Sequence, residues 1–190
     1  MAGAAVLLGA AGPSAPADDP DAPHYDANGN LVFPAGYREW VFLSAGLDMT
    51  YAGEKNLPKT SAHLFENVFA PPSGYRYFAN TGTWPDKTVL FMERRAGETN
   101  VSINLKGFVQ TGVQGYTAHV KDTAHDKNRY GWAFYLFGPD DKTGKLVTDP
   151  SLCAECHEKN GAVDTTFVQF YPTLIPIAKE HGTYKPPPGD

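Results

Sequence analysis

The chain has 190 residues and a mass of 20.6 kDa, and is 42% hydrophobic and 13% aromatic. That is one domain of ordinary size with apolar material for its own core, which excludes general disorder and any need for disulfide staples. A net charge of −5 without Lys/Arg blocks excludes nucleic acid and anionic membrane surfaces as natural partners, and no apolar stretch approaches the roughly 20 residues of a membrane-spanning helix. With 19 glycines and 16 prolines, turns are frequent and long helices few.

Residues 1–23 stand apart. An apolar run over 2–11 is followed by a Pro-, Ala- and Asp-rich stretch. It reads as a signal-like or flexible leader, with Ala15-Pro16-Ala17 as a cleavage region, and points to export. Residues 26–30 read as a turn, 34–40 as a short helical turn, 40–44 as a first strand and 46–58 as a loop. Residues 64–69 form a second strand. Pro71-Pro72-Ser73 then opens a short helix through Phe78, stopped at Asn80-Thr81-Gly82.

Residues 86–95 are a strong strand, with Thr88, Leu90, Met92 and Arg94 on one face and Val89, Phe91 and Glu93 on the other. Residues 110–121 form another strand. The charged loop 121–129 reads as a solvated face. Residues 131–137 are apolar on both faces and belong inside the sheet. Residues 150–159 read as helical. Residues 171–181 read as a closing helix in which Pro176 predicts a kink or a late start. Residues 185–190 are a Pro-rich tail. The expectation is α+β: one domain over 24–184, a mainly antiparallel sheet of about five strands, short helices and a helical C-terminal segment.

The sharpest signal is Cys153-Ala154-Glu155-Cys156-His157. Two thiols three residues apart lie on one side of a helical turn, where each can add to one vinyl group of a single porphyrin. The adjacent imidazole then lies over the macrocycle as an iron ligand. This is the attachment pattern of haem c, one per chain, with Cys153 and Cys156 as tethers and His157 as the metal ligand. It makes the C-terminal segment the haem-binding one. A local disulfide, a redox dithiol and half of a zinc site are the other uses of such a pair. A zinc site would need completion by His63, His119, His125 or His181.

Further segments carry a resemblance: Tyr37-Arg38-Glu39-Trp40-Val41, Thr81-Gly82-Thr83-Trp84-Pro85-Asp86-Lys87-Thr88-Val89, Trp132-Ala133-Phe134-Tyr135, and the run from Asn160-Gly161 to Phe170-Tyr171-Pro172. Together with the cysteine motif they resemble the cytochrome P-460 family over about 24–180. The resemblance implies a covalent haem c on a mainly antiparallel β domain, in the periplasm and often as a homodimer. The hydroxylamine-oxidising members carry a lysine cross-linked to the porphyrin, and Met92 falls at its position. Their distal arginine falls near Glu66 and their second-sphere glutamate near Thr117. These substitutions argue against hydroxylamine oxidation. They turn the resemblance toward the c-prime-beta branch, which binds small gases such as nitric oxide.

Haem function follows from the sixth coordination position and the polarity around it. Met92 is a candidate soft axial ligand or a methionine of the pocket wall. Phe91 or Phe65 is a candidate cap over an open iron, or core. Arg94 is a candidate partner for a haem propionate, or a surface arginine. His119 reads as a satisfied or exposed histidine rather than a second ligand, and Lys87 as a solvated turn lysine. The expected function is a periplasmic mono-haem c-type cytochrome. It would bind a small diatomic gas or nitrogen oxide, or carry one electron to a redox partner protein. The alternatives are a hydroxylamine-oxidising or peroxidase-like enzyme, and an exported β-rich module with a disulfide.

Overall fold

The structure is a computed structural model that describes residues 19–50, 63–128, 130–186 and 188. The cleavage region at Ala15–Ala17 and most of the 46–58 loop lie outside the described residues.

Seven strands run in the order β1 (Leu31–Val32), β2 (Val41–Leu47), β3 (His63–Ala70), β4 (Thr88–Glu98), β5 (Val109–Lys121), β6 (Ala133–Phe137) and β7 (Thr143–Leu146). In the sheet they lie as β1-β7-β6-β5-β4-β3-β2, and every pairing is antiparallel. The sheet is thus a meander from β2 to β7, with β1 returning along the outer edge of β7.

The expected sheet of about five strands is therefore corrected to seven, in a mainly β fold with three short α-helices. The two unforeseen strands carry no alternating apolar pattern: β1 has two residues and β7 is Thr-Gly-Lys-Leu. Backbone pairing and one close approach define β7 instead. A Cβ on Gly144 would fall 2.4 Å from the Phe137 ring, so only glycine lets the strand close over that side chain.

Helix α1 (Pro72–Thr81) starts with proline in its first turn and stops at Gly82, whose left-handed backbone (φ 71°) returns its N–H to the Phe78 carbonyl. Helix α2 (Ala154–Asn160) begins within the cysteine motif, with Cys153 flanking its start. Helix α3 (Ile175–Glu180) begins late, with Pro176 in its first turn, where a missing N–H costs no hydrogen bond.

Strand alternation builds two cores. On one face Leu43, Phe78, Trp84, Leu90, Trp132, Val163, Val168 and Leu174 pack beneath the helices. On the other, Leu31, Tyr37, Trp40, Val89, Phe91, Tyr116, Tyr135 and Phe137 are closed over by residues 31–40. Loop 121–129 is not simply a solvated face, because Asp122 is buried at its start. Its carboxylate accepts from the Lys87 ammonium, the Tyr25 hydroxyl (3.2 Å) and the His125 amide (3.1 Å). Lys87 is accordingly ion-paired, and its backbone is left-handed (φ 68°). Among the described residues no helix is long and apolar enough to cross a membrane.

Candidate functional site

The site begins at a turn. Asp149 accepts from the Ser151 amide at 3.0 Å and hydroxyl at 2.8 Å, and the chain then winds into α2 with Cys153 as the flanking residue. Cys153 and Cys156 lie one turn apart, both half-buried and both free thiols. Burial, reinforced by the neighbouring Cys156 sulfur, pushes the Cys153 thiol above its usual range. A redox dithiol needs the opposite shift, toward thiolate. Among the described residues no cluster of three or more His, Cys, Asp or Glu is gathered that could hold a metal, so no four-ligand zinc site surrounds the pair.

His157 is held by the segment that follows it. Its Nδ1 lies 3.0 Å from the Thr165 carbonyl oxygen. A carbonyl only accepts, so Nδ1 carries the proton and Nε2 keeps the lone pair. Burial lowers the imidazole pKa to about 4, the Thr165 bond opposing it, so the ring is neutral at physiological pH. Phe167 stacks on it at 4.0 Å between centroids, with Phe134 at 4.6 Å and His119 at 4.8 Å edge-on.

The sequence between builds this contact. Asp164 and Thr165 are both left-handed (φ 48° and 59°), and the turn they form is closed by the pairing of Val163 with Thr166. Gly161 lets the turn approach, since a Cβ there would lie 2.6 Å from the Thr165 carbonyl carbon and 2.7 Å from the His157 oxygen. The turn is also fastened to the sheet. Trp84 Nε1 donates to Thr166 Oγ1 (3.0 Å), and Lys121 Nζ bridges Asp164 (2.5 Å) and the Trp84 carbonyl (2.8 Å).

The sheet face toward His157 is read by register. His119 and Phe134 are paired in the row that meets the imidazole. The next row is Val68, Met92, Thr117 and Leu136, in register across β3, β4, β5 and β6. It is only partly covered, and Leu136 is 44% exposed. Beyond it stand Glu66, Arg94 and Gly115. The Arg94 guanidinium lies against Gly115, where a Cβ would be 3.0 Å from Nη2, and its Nε is buried without a hydrogen-bond partner.

The structure therefore places Cys156 and His157 on α2 with Cys153 flanking its start, and Met92 and Arg94 on the sheet face that His157 meets. It separates Phe91 from them. Phe91 is fully buried on the opposite face, stacked on Tyr116 at 5.3 Å and packed against Tyr37 at 4.9 Å. Phe65, in register with Arg95, also projects away from the His157 side. Neither aromatic stands over the imidazole. The reading of His119 as satisfied or exposed is likewise corrected, for it is 7% exposed and its Nε2 has no partner. Phe134, Thr165 and Phe167 were not foreseen, although each lies in or beside a segment that carried the resemblance.

These residues fit a haem. The fit rests on a neutral imidazole with an open Nε2, two free thiols three residues apart at the start of α2, a half-covered row including Val68, Met92 and Leu136, and a guanidinium whose Nε has no hydrogen-bond partner. Such a set defines the class of haem-binding cytochromes. The model of the family described as Cytochrome P460 matches residues 34–168, well over half of the chain, and the chain belongs to that family. Comparison with curated proteins gives no match.

Proposed function

We propose that this chain is an exported, periplasmic mono-haem c-type cytochrome that binds a small gas or nitrogen-oxide ligand. Cys153 and Cys156 would hold the porphyrin by thioether bonds, and His157 Nε2 would hold its iron. When bound, the haem supplies an iron that takes up one diatomic ligand or changes charge by one electron. The chain's own residues do the rest. Thr165 holds the His157 proton on Nδ1, Phe167 and Phe134 fix the ring plane, and Arg94 offers its idle N–H to a propionate. Met92 and Leu136 offer the porphyrin an apolar wall.

The observation that carries this reading is the His157–Thr165 bond beside two free thiols of haem c spacing. It leaves the Nε2 lone pair free to bind a metal. The row of Val68, Met92, Thr117 and Leu136 carries no ionisable side chain, which favours ligand binding or electron transfer over catalysis. The Met92 position supports the same choice, since a thioether forms no lysine-type cross-link. A homodimer and a redox partner protein belong to the proposal as well.

Co-expression with a haem c maturation system tests it. The expected product is red, keeps its haem on a denaturing gel, gives the pyridine haemochrome of a haem with both vinyl groups saturated, and binds carbon monoxide or nitric oxide when reduced. A colourless protein with the mass of bare polypeptide would overturn it. A reduced protein that refuses both gases and stays six-coordinate would move the assignment to electron carriage with Met92 as ligand. Turnover of hydroxylamine with a haem–lysine cross-link would establish the enzyme reading.

A further inference from the structure

His119 has no task in the proposed function, and its surroundings are unusual. It sits in the central strand β5, in register with Leu90 on one side and Phe134 on the other. It is 7% exposed, and its Nε2 is buried without a hydrogen-bond partner. Its ring is stacked on Phe134 at 4.1 Å and tilted against Trp132 at 4.4 Å, and neither side chain offers a lone pair in return. Two polar rings adjoin it: the Trp132 indole, whose own Nε1 is buried without a partner, and the ionisable ring of His157, edge-on at 4.8 Å and 72°. Buried side-chain nitrogens nearly always have a partner, so an idle imidazole in this position asks for one not yet counted.

A second observation bears on His157 itself. Its Nδ1 proton goes to a peptide carbonyl, not to a carboxylate. A neutral acceptor makes Nε2 a weaker donor to a metal than an anionic acceptor would, so the metal bond it supports is more easily given up. The wall that carries the axial imidazole thus holds a second, uncommitted imidazole in ring contact with the first. One rides on a seven-residue helix and the other on the middle of the sheet.

We infer that His119 is a reserve axial ligand, a nitrogen that takes over the metal when His157 lets it go. The inference rests on the haem reading above. In the exchange one iron–nitrogen bond breaks and one forms. No electron is transferred, and His157 retires with Nδ1 still donating its proton to the Thr165 carbonyl. The consequence for ligand binding is that loss of the His157 bond need not leave the protein without an axial nitrogen.

The test uses the matured holoprotein. His157→Gly keeps both cysteines and hence the covalent haem, which pyridine haemochrome verifies. Resonance Raman of the ferrous form and hyperfine coupling to 15N-histidine of the ferric form then read the axial ligand. His157→Gly should retain an iron–imidazole signal, His157→Gly/His119→Phe should lose it, and His119→Phe alone should keep the wild-type spectrum. If His157→Gly matures poorly, maturation with added imidazole followed by gel filtration supplies the same sample. Absence of histidine ligation in His157→Gly, or its persistence in the double variant, would overturn the inference. A wild-type protein without covalent haem would overturn the proposed function first, which keeps the two failures apart.

Discussion

The Thr165 carbonyl oxygen stands 3.0 Å from His157 Nδ1, and this one contact decides which nitrogen of the imidazole is free. The contact is made by backbone, from a turn whose two central residues are left-handed, and it exists because Gly161 has no side chain to block it.

Gly161→Ala should therefore damage the site through the turn. The added methyl has to displace Thr165 backbone or unwind the end of α2, at a cost of about 1–3 kcal/mol. Thermal unfolding reads the stability loss. The 15N shifts of His157 in the metal-free protein read the tautomer, which should change from one dominated by Nδ1–H to a mixture.

Removing the tethers separates them by role. Cys153→Ala should yield at best a singly attached haem and a poorly loaded protein, while His157→Ala keeps both thioethers and changes the Soret and visible bands. Intact mass and absorption spectra check both, and an unchanged spectrum in either variant would refute the assignment.

Arg94 makes no ion pair among the described residues, so Arg94→Leu should alter stability by no more than about 0.5 kcal/mol. If its guanidinium serves a propionate, loss of that positive charge favours the ferric state and lowers the reduction potential. Spectroelectrochemical titration of wild type against variant measures the shift, and an unchanged potential would place Arg94 outside the site.

Asp122 governs an acid limb. Burial raises its pKa, but the Lys87 ammonium, the His125 amide and the Tyr25 hydroxyl outweigh that and hold it below the usual carboxylate value. A depressed native pKa means that stability is fully present above the unfolded value near 3.8 and is lost as pH falls through the native one. Asp122→Asn should flatten the pH dependence of unfolding below about pH 4. Lys87→Met, which strands the buried carboxylate, should destabilise the neutral-pH protein by about 3 kcal/mol.

What could be read in advance was whatever chemistry or sterics is local in the chain. The cysteine motif declares itself by spacing, Pro176 announces the late start of α3, and alternation along β4 divides Met92 and Arg94 from Phe91 and Glu93. Which of those faces looks at His157 is a tertiary fact, so Phe91 was as plausible a cap as Met92 was a wall until the sheet was assembled. Strand β7 escaped notice because Thr-Gly-Lys-Leu has no pattern, its place being set by pairing with β1 and β6. The Thr165 carbonyl escaped because a backbone acceptor has no sequence signature beyond the glycine that admits it. His119 was misjudged because a lone histidine among apolar residues does not reveal whether its nitrogens find partners.

The fastening of the 161–166 turn by Lys121 and Trp84 has a dynamic consequence. Strand β5 and the residues after α2 share one set of bonds, so opening this turn also breaks its fastening to the sheet. Its amides at Val163 and Thr166 should exchange with deuterium as slowly as the central strands do, as part of one cooperative unit rather than as a fraying tail. The imidazole would then feel a nearly static electrostatic environment through every fluctuation short of global unfolding.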